Sequence, residues 1–365
     1  MIMQNFTLKA CRLCPRDCGA DRTSGTGYCA QGASLRVAKA MIHQGEEPCL
    51  LPAGAVFFVG CNLRCVFCQN YEISHPDSKR GGEGEYGGPS REFCSEHTEP
   101  SPVHGSGELG SEHREPSPVS GADLAALFLK LQEEGAATID LVTPTPWLLQ
   151  IREALTIAKK QGLHLPVVFN CGGYESAEAL RLMEGLVDVY MPDLKYFSSE
   201  ASLKYSGAAD YFDRADEALR EMYRQVGPVQ FGKSSAAGQG KPKEERTGQD
   251  SPAGIGQRQD IMQKGLLVRH LVLPGLYKDS VRLMDYLADT FEPETIRLSL
   301  LAQYTPFGSL ERFPELRRRI TSFEYEKVLQ RADERGLEGY RQFRNAATMA
   351  MRPDFTNGGL MTSVR

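Results

Sequence analysis

From residue 55 onward, short β-branched or aromatic runs alternate with amphipathic stretches. The runs are AVFFV (55–59), TIDLV (138–142), PVVFN (166–170), VDVYM (187–191), LLVRHLV (266–272) and IRLSLL (296–301). Unbroken apolar runs of this length, bounded by turn residues, predict strands buried on both faces. Between them ADLAALFLKLQEEG, PWLLQIREALTIAKKQG, ESAEALRLMEG and DYFDRADEALREMYRQVG space their apolar residues for one helical face. Most close on glycine, as a helix C-terminus often does. Strand followed by helix, repeated, predicts parallel strands joined by right-handed crossovers. Six such units predict an α/β fold, a partial (β/α)6 TIM-like barrel rather than a closed barrel of eight strands.

Three stretches break the rhythm. Residues 1–54 are rich in Cys, Gly and Arg with little periodicity, which predicts a small Cys-rich N-terminal module held by metal, with residues 55–365 forming the barrel. Residues 76–120 are rich in Gly, Pro, Ser and Glu and contain a near repeat, SEHTEPSPVHG at 95–105 and SEHREPSPVSG at 111–121. Residues 232–260 share that character. With so few apolar residues neither stretch offsets its ordering entropy, so both are expected to be disordered insertions in crossover loops. His97, His104 and His113, beside Cys94, are then solvated residues of a repeat rather than metal ligands.

Charge narrows the partners. The 365 residues carry 42 Lys and Arg against 47 Asp and Glu, a net charge of −5 that offers no footprint for nucleic acid. No apolar run approaches the roughly 18 to 20 residues that span a bilayer, and MIMQNFTLKACRLC lacks the apolar core of a signal peptide. The expectation is a cytoplasmic protein with no membrane partner. In that reducing compartment ten cysteines are not a disulfide framework. They read as metal ligands, and seven of the ten fall into two clusters.

The segment FFVGCNLRCVFCQN places Cys61, Cys65 and Cys68 in C-x-x-x-C-x-x-C spacing directly after the first predicted strand. A loop there lies at the C-terminal mouth of the barrel, where such folds build their sites. Three thiolates on one loop can hold three irons of a cubane and leave the fourth iron open to a substrate. Zinc prefers paired knuckles totalling four ligands. The spacing, the aromatic Phe67 before Cys68 and the preceding apolar strand together favour a 4Fe-4S cluster.

The other cluster, Cys11, Cys14, Cys18 and Cys29 in CRLCPRDCGADRTSGTGYC, has C-x-x-C-x-x-x-C spacing followed by ten residues and a fourth Cys. Four thiolates satisfy zinc or a fully ligated auxiliary iron–sulfur cluster, and spacing does not decide between them. A metal staple suits a small module with a poor core, which sets the structural role slightly ahead. Cys49 in GEEPCL is an alternative ligand or a buried small hydrophobe, and Cys171 is equally open.

GCNLRCVFCQN resembles the signature loop of radical S-adenosylmethionine enzymes. More narrowly, the chain resembles the pyruvate formate-lyase activating enzyme family, in a branch with a Cys-rich N-terminus, through CRLCPRDCG, GEEPCL, GCNLRCVFCQNYEIS, VTPTPW, NCGGYE, MPDLKY and RHLVLPG. The resemblance implies an oxidoreductase that cleaves S-adenosylmethionine at the 4Fe-4S cluster to a 5′-deoxyadenosyl radical, which abstracts hydrogen from a substrate. It also implies an electron donor such as flavodoxin or ferredoxin and, taken literally, a glycyl-radical enzyme as protein substrate.

Cofactor-binding positions follow from the same resemblance, with Phe67 beside the cluster. MPDLKY places Asp193 and Lys195 beyond the fourth predicted strand, matching an Asp-Leu-Lys motif at the cofactor and cation, and Met191 matches a backbone cation ligand. Asn170 and Cys171 stand where the family has Asp-Thr. Arg269 matches an Arg near cofactor and substrate, able to pair with the cofactor carboxylate, whereas His270 points to the other face and packs. VTPTPW replaces the family's Gly-Gly-Glu, leaving the Thr143 and Thr145 hydroxyls to meet the cofactor amino group. Trp147 and Tyr304 line the cavity or pack. Other readings are radical modification of another peptide or small metabolite, and a non-catalytic iron–sulfur electron-transfer or metal-binding protein.

Overall fold

All six apolar runs form strands, and they lie parallel. The computed structural model describes residues 6–74, 118–233, 260–306 and 310–342. Its elements begin with β1 (Val37–His43), β2 (Ala53–Phe58), α1 (Tyr71–Ser74), α2 (Gly121–Glu133), β3 (Thr138–Val142), α3 (Leu148–Lys160), β4 (Val167–Cys171), α4 (Ala177–Leu180) and β5 (Val189–Pro192). They continue with α5 (Ser199–Ser206), α6 (Tyr211–Val226), β6 (Gln230–Gly232), β7 (Ile261–Leu271), α7 (Tyr277–Thr290), β8 (Arg297–Leu301), α8 (Ser322–Glu334) and β9 (Gly339–Arg341).

One sheet of nine strands runs β1-β2-β3-β4-β5-β7-β8-β9, with β6 added antiparallel to β7. Every residue of β2, β3 and β5 is buried. Helices therefore cover one face of the sheet while side chains fill the other. In a flat sheet β1 and β7, five places apart in this order, would be separated by about 24 Å. Yet Arg269 of β7 donates to Glu47, four residues beyond β1, at 2.8 and 2.6 Å. The Cys49 thiol likewise meets the Tyr340 hydroxyl of β9. The sheet therefore curls round on itself, with β1 and β9 as its two ends, as a partial barrel does.

Three strands went unforeseen. β1 pairs antiparallel with β2 from Val37 opposite Phe58 to His43 opposite Ala53, so the sheet takes in part of the stretch read as the Cys-rich module. Only the preceding residues, from 6 to 35, are turns and bends without a strand or helix of their own. β6 and β9 span three residues each, too short to leave a periodicity. The insertions expected at 76–120 and 232–260, with Cys94, His97, His104 and His113, lie outside the described residues except at their ends. At one such end Ser120 caps α2 in a reciprocal box with Asp123.

Candidate active site at the C-terminal end of the sheet

The cysteine loop leaves β2 through Gly60, whose φ of +91° favours glycine. Space demands glycine there too, because a Cβ would stand 2.8 Å from the Cys29 carbonyl of the N-terminal segment. Backbone bonds then fix the loop against α5: Arg64 N to Ser206 O at 3.1 Å and Val66 N to Tyr205 O at 2.9 Å. Each sulfur has a polar neighbour. Ser206 Oγ donates to Cys65 Sγ at 3.0 Å, Leu63 N donates to Cys61 Sγ at 3.4 Å, and Ser74 Oγ lies 3.5 Å from Cys68 Sγ.

Burial pushes the Cys61 thiol up, and the neighbouring Cys65 and Cys68 push it further, while Lys195 opposes them. Burial also raises Cys65, again against Lys195. The three thiols thus share one electrostatic neighbourhood with an ammonium beside it. Lys195 Nζ pairs with Asp193 Oδ2 at 2.5 Å. Burial alone would favour discharging that lysine, but Asp193 and Cys65 outweigh it and hold its pKa above the ordinary value.

Tyr211, which sequence reading missed, positions this segment. Its hydroxyl donates toward Asp193 O at 2.6 Å and Gly172 O at 2.9 Å, and accepts from Lys195 N at 3.0 Å. A Cβ on Gly173, where φ is +78°, would stand 2.8 Å from that hydroxyl. The paired glycines of NCGGYE were the available signal. Phe67 is buried, edge-on to Tyr196 and Tyr304 with centroids 6.5 and 6.4 Å apart. Tyr304 also donates to Leu316 O at 2.7 Å, and Trp147 Nε1 to Val59 O at 2.8 Å, so both are anchored packing residues.

A second group lies inside the barrel. Arg269, expected at a cofactor carboxylate, is held instead by two carboxylates of this chain, Glu46 and, bidentately, Glu47. Burial works against the charge on both sides, but mutual attraction wins, raising the Arg269 pKa and lowering that of Glu47. Asn170 donates to Asp140 Oδ2 at 3.3 Å, while Asp140 Oδ1 is buried without a partner. Burial, reinforced by Glu46, raises the Asp140 pKa well above the ordinary value. His270 is buried, with Nδ1 2.6 Å from Leu194 O, in the packing role expected of it.

Thr143 has φ +59°, a left-handed conformation uncommon for a β-branched residue. Thr145 donates to Glu175 Oε1 at 2.9 Å. Glu175 is 1% exposed, its Oε2 has no partner, and burial pushes its carboxyl up to about 8. This buried acid, also missed, stands beside the VTPTPW loop.

The N-terminal segment packs on the same end of the sheet. Arg16 donates to Asn62 O at 2.8 Å and Gly207 O at 2.6 Å, with its guanidinium over Tyr28 and Tyr174. Cys11, Cys14, Cys18 and Cys29 line one cavity, walled also by Asn62 and Thr145. Cys49 stands apart, buried with Leu50, Val168 and Met191, and Cys171 closes β4. Among the described residues no three Cys, His, Asp or Glu side chains are already arranged as a ligand set for a metal ion. The chemistry of the donors nonetheless fits iron and sulfide at the Cys61 loop: three thiols on one turn, polar groups at their sulfurs and an ammonium beside them.

No family model matches the chain. It is 25% identical over 335 residues to an uncharacterised protein of Methanocaldococcus jannaschii, covering 90% of this chain and 76% of that protein. Among solved structures it is similar to Streptococcus suis SuiB bound to the precursor peptide SuiA, with TM-score 0.40 and 9% identity. SuiB bound to S-adenosylmethionine gives TM-score 0.40 and 10% identity. The matches cover 79% and 78% of this chain, which spans about half the SuiB length, 48% in each case.

Proposed function

We propose that this chain is a radical S-adenosylmethionine enzyme. The observation that carries the reading is the loop of Cys61, Cys65 and Cys68 at the C-terminal end of a parallel strand, with Lys195 in the same electrostatic neighbourhood. A 4Fe-4S cluster and S-adenosylmethionine bound there supply reductive cleavage of the sulfonium and a 5′-deoxyadenosyl radical that abstracts hydrogen.

The protein's part is to hold and shield. Cys61, Cys65 and Cys68 are the cluster ligands, and the donors Leu63 N and Ser206 Oγ stabilise thiolate charge at the first two. Lys195 offsets that charge, and Asp193 keeps the lysine protonated. Phe67, Tyr196 and Tyr304 form an aromatic wall that limits water beside the loop. With Arg269 committed to Glu46 and Glu47, the cofactor is held by Asp193, Lys195 and the VTPTPW loop, where Glu175 supplies a carboxyl behind Thr145.

The finer reading, abstraction from a glycine of a partner glycyl-radical enzyme with electrons from a flavodoxin or ferredoxin, rests on sequence resemblance alone. The test is anaerobic reconstitution with iron and sulfide, then incubation with S-adenosylmethionine and dithionite. The expected products are 5′-deoxyadenosine and methionine, both absent in Cys65→Ala. Cleavage that persists in Cys65→Ala overturns the proposal, as does an iron-loaded protein that cleaves nothing.

A further inference from the structure

Asp140 is fully buried, and its Oδ1 has no hydrogen-bond partner among the described residues. A buried carboxyl is normally met by a cation or by donors. On β3 it alternates with Ile139 and Leu141, which share a core with Leu131 of α2 and Ile151 of α3. Its own side chain therefore points the other way, into the barrel. Its register partners there are Ala55 of β2 and Val168 of β4, and neither side chain carries a donor. Asn170, two residues beyond Val168 on the same face of β4, reaches only the other oxygen, Oδ2, at 3.3 Å. The strands on either side thus leave Oδ1 unmet.

The charges around it do not balance either. Glu47 holds Arg269 bidentately at 2.8 and 2.6 Å, and Asp193 holds Lys195 at 2.5 Å. Glu46 shares Arg269 and stands 3.9 Å from His43 Nε2. Even with a protonated His43 set against Glu46, Asp140 is left over among these groups. Burial and the nearby Glu46 hold its pKa well above the ordinary value against the pull of Arg269, as a missing cation would. Asn170, Asp193 and Arg269 are partly exposed, so this layer is reached from the C-terminal end, where the cysteine loop stands.

The surroundings select an organic cation over a metal ion. A hard metal ion needs several oxygen ligands at once, and among the described residues no three Cys, His, Asp or Glu side chains form such a set. An ammonium or guanidinium on a carbon stem needs one carboxylate and an apolar wall. Ala55, Val142 and Val168, on the same inward face, supply that wall. We propose that Asp140 receives the cationic group of the substrate, an alkylammonium or guanidinium. The inference rests on the barrel mouth being a radical-enzyme active site, and it names the class of substrate which that site takes.

The test is calorimetric titration of the reconstituted full chain with butylammonium, butylguanidinium and, as neutral control, n-butanol. S-adenosylmethionine is kept saturating and reductant is left out, because the cofactor's own ammonium is the competing occupant. At least one cation is expected to bind about tenfold more tightly than butanol, as one charge-assisted hydrogen bond implies. Asp140→Asn should lose that preference. Cations that bind no better than butanol overturn the proposal, as does a preference that survives in Asp140→Asn. A preference that equimolar potassium ion removes, or that appears only without S-adenosylmethionine, overturns it too. Should Asp140→Asn not fold by circular dichroism, the wild-type preference alone decides. 5′-Deoxyadenosine is then measured on the same protein after dithionite. Cleavage without cation binding overturns this inference alone, and cation binding without cleavage overturns the radical reading alone.

Discussion

Thr145 donates its hydroxyl to Glu175 Oε1 at 2.9 Å, joining the loops that follow β3 and β4. Both residues are buried, and the second carboxyl oxygen has no partner. Thr145→Val leaves Glu175 with both oxygens short of a donor from this loop, and should lower stability by about 1–3 kcal/mol. Thr145→Ser should be near neutral. Urea denaturation of Thr145→Val, Glu175→Leu and the double variant measures the coupling; strictly additive losses would show that the bond contributes nothing.

Arg269 is expected to be a barrel staple. Arg269→Met strands two buried carboxylates, and the loss should be about 3–5 kcal/mol. Converting Glu46 and Glu47 to Gln in the same chain should recover most of it. Equilibrium dialysis with S-adenosylmethionine supplies the opposing outcome: lost cofactor affinity at unchanged stability would return Arg269 to the cofactor.

Lys195→Met removes the cation beside Cys61 and Cys65, so thiolates become harder to form there. Iron uptake at limiting iron should weaken about tenfold, as a change of one pKa unit implies, whereas Lys195→Arg should retain most of it. Equal uptake by wild type and Lys195→Met would separate this lysine from the cysteine loop.

His270 makes folding sensitive to acid. Burial drives its pKa down to about 4 from an ordinary 6.5, outweighing the bond to Leu194 O. Because the folded value is the lower, its contribution is complete above pH 6.5 and is lost as pH falls from 6.5 through 4, where the unfolded chain takes up the proton first. The loss of stability between pH 7 and 5 should therefore be smaller in His270→Phe than in wild type. Parallel pH profiles would show that another group governs the acid limb.

The parallel strands were legible because burial on both faces writes an unbroken apolar run. β1 was not, since VAKAMIH mixes Lys39 and His43 into an edge strand that follows a cysteine-rich stretch. The two cysteine sets were legible because their spacing is local. Glu46 and Glu47 left no such mark, as their partner Arg269 stands more than 220 residues away and only the curl of the sheet brings them together. Asp140 was a sign passed over: a carboxylate inside TIDLV has to be buried with the strand that carries it.

The edge strand β1 also decides where this chain can be shortened. A version starting at residue 55 would lose the antiparallel partner of β2 and the first residues of β2 itself. The main-chain donors and acceptors thereby exposed form a template for other chains, so that version should self-associate. A start at residue 36 retains β1 and spares this edge but uncovers the core that Leu13 and Leu35 pack on, so light scattering should read less self-association from it than from the version starting at 55, and more than from the full chain.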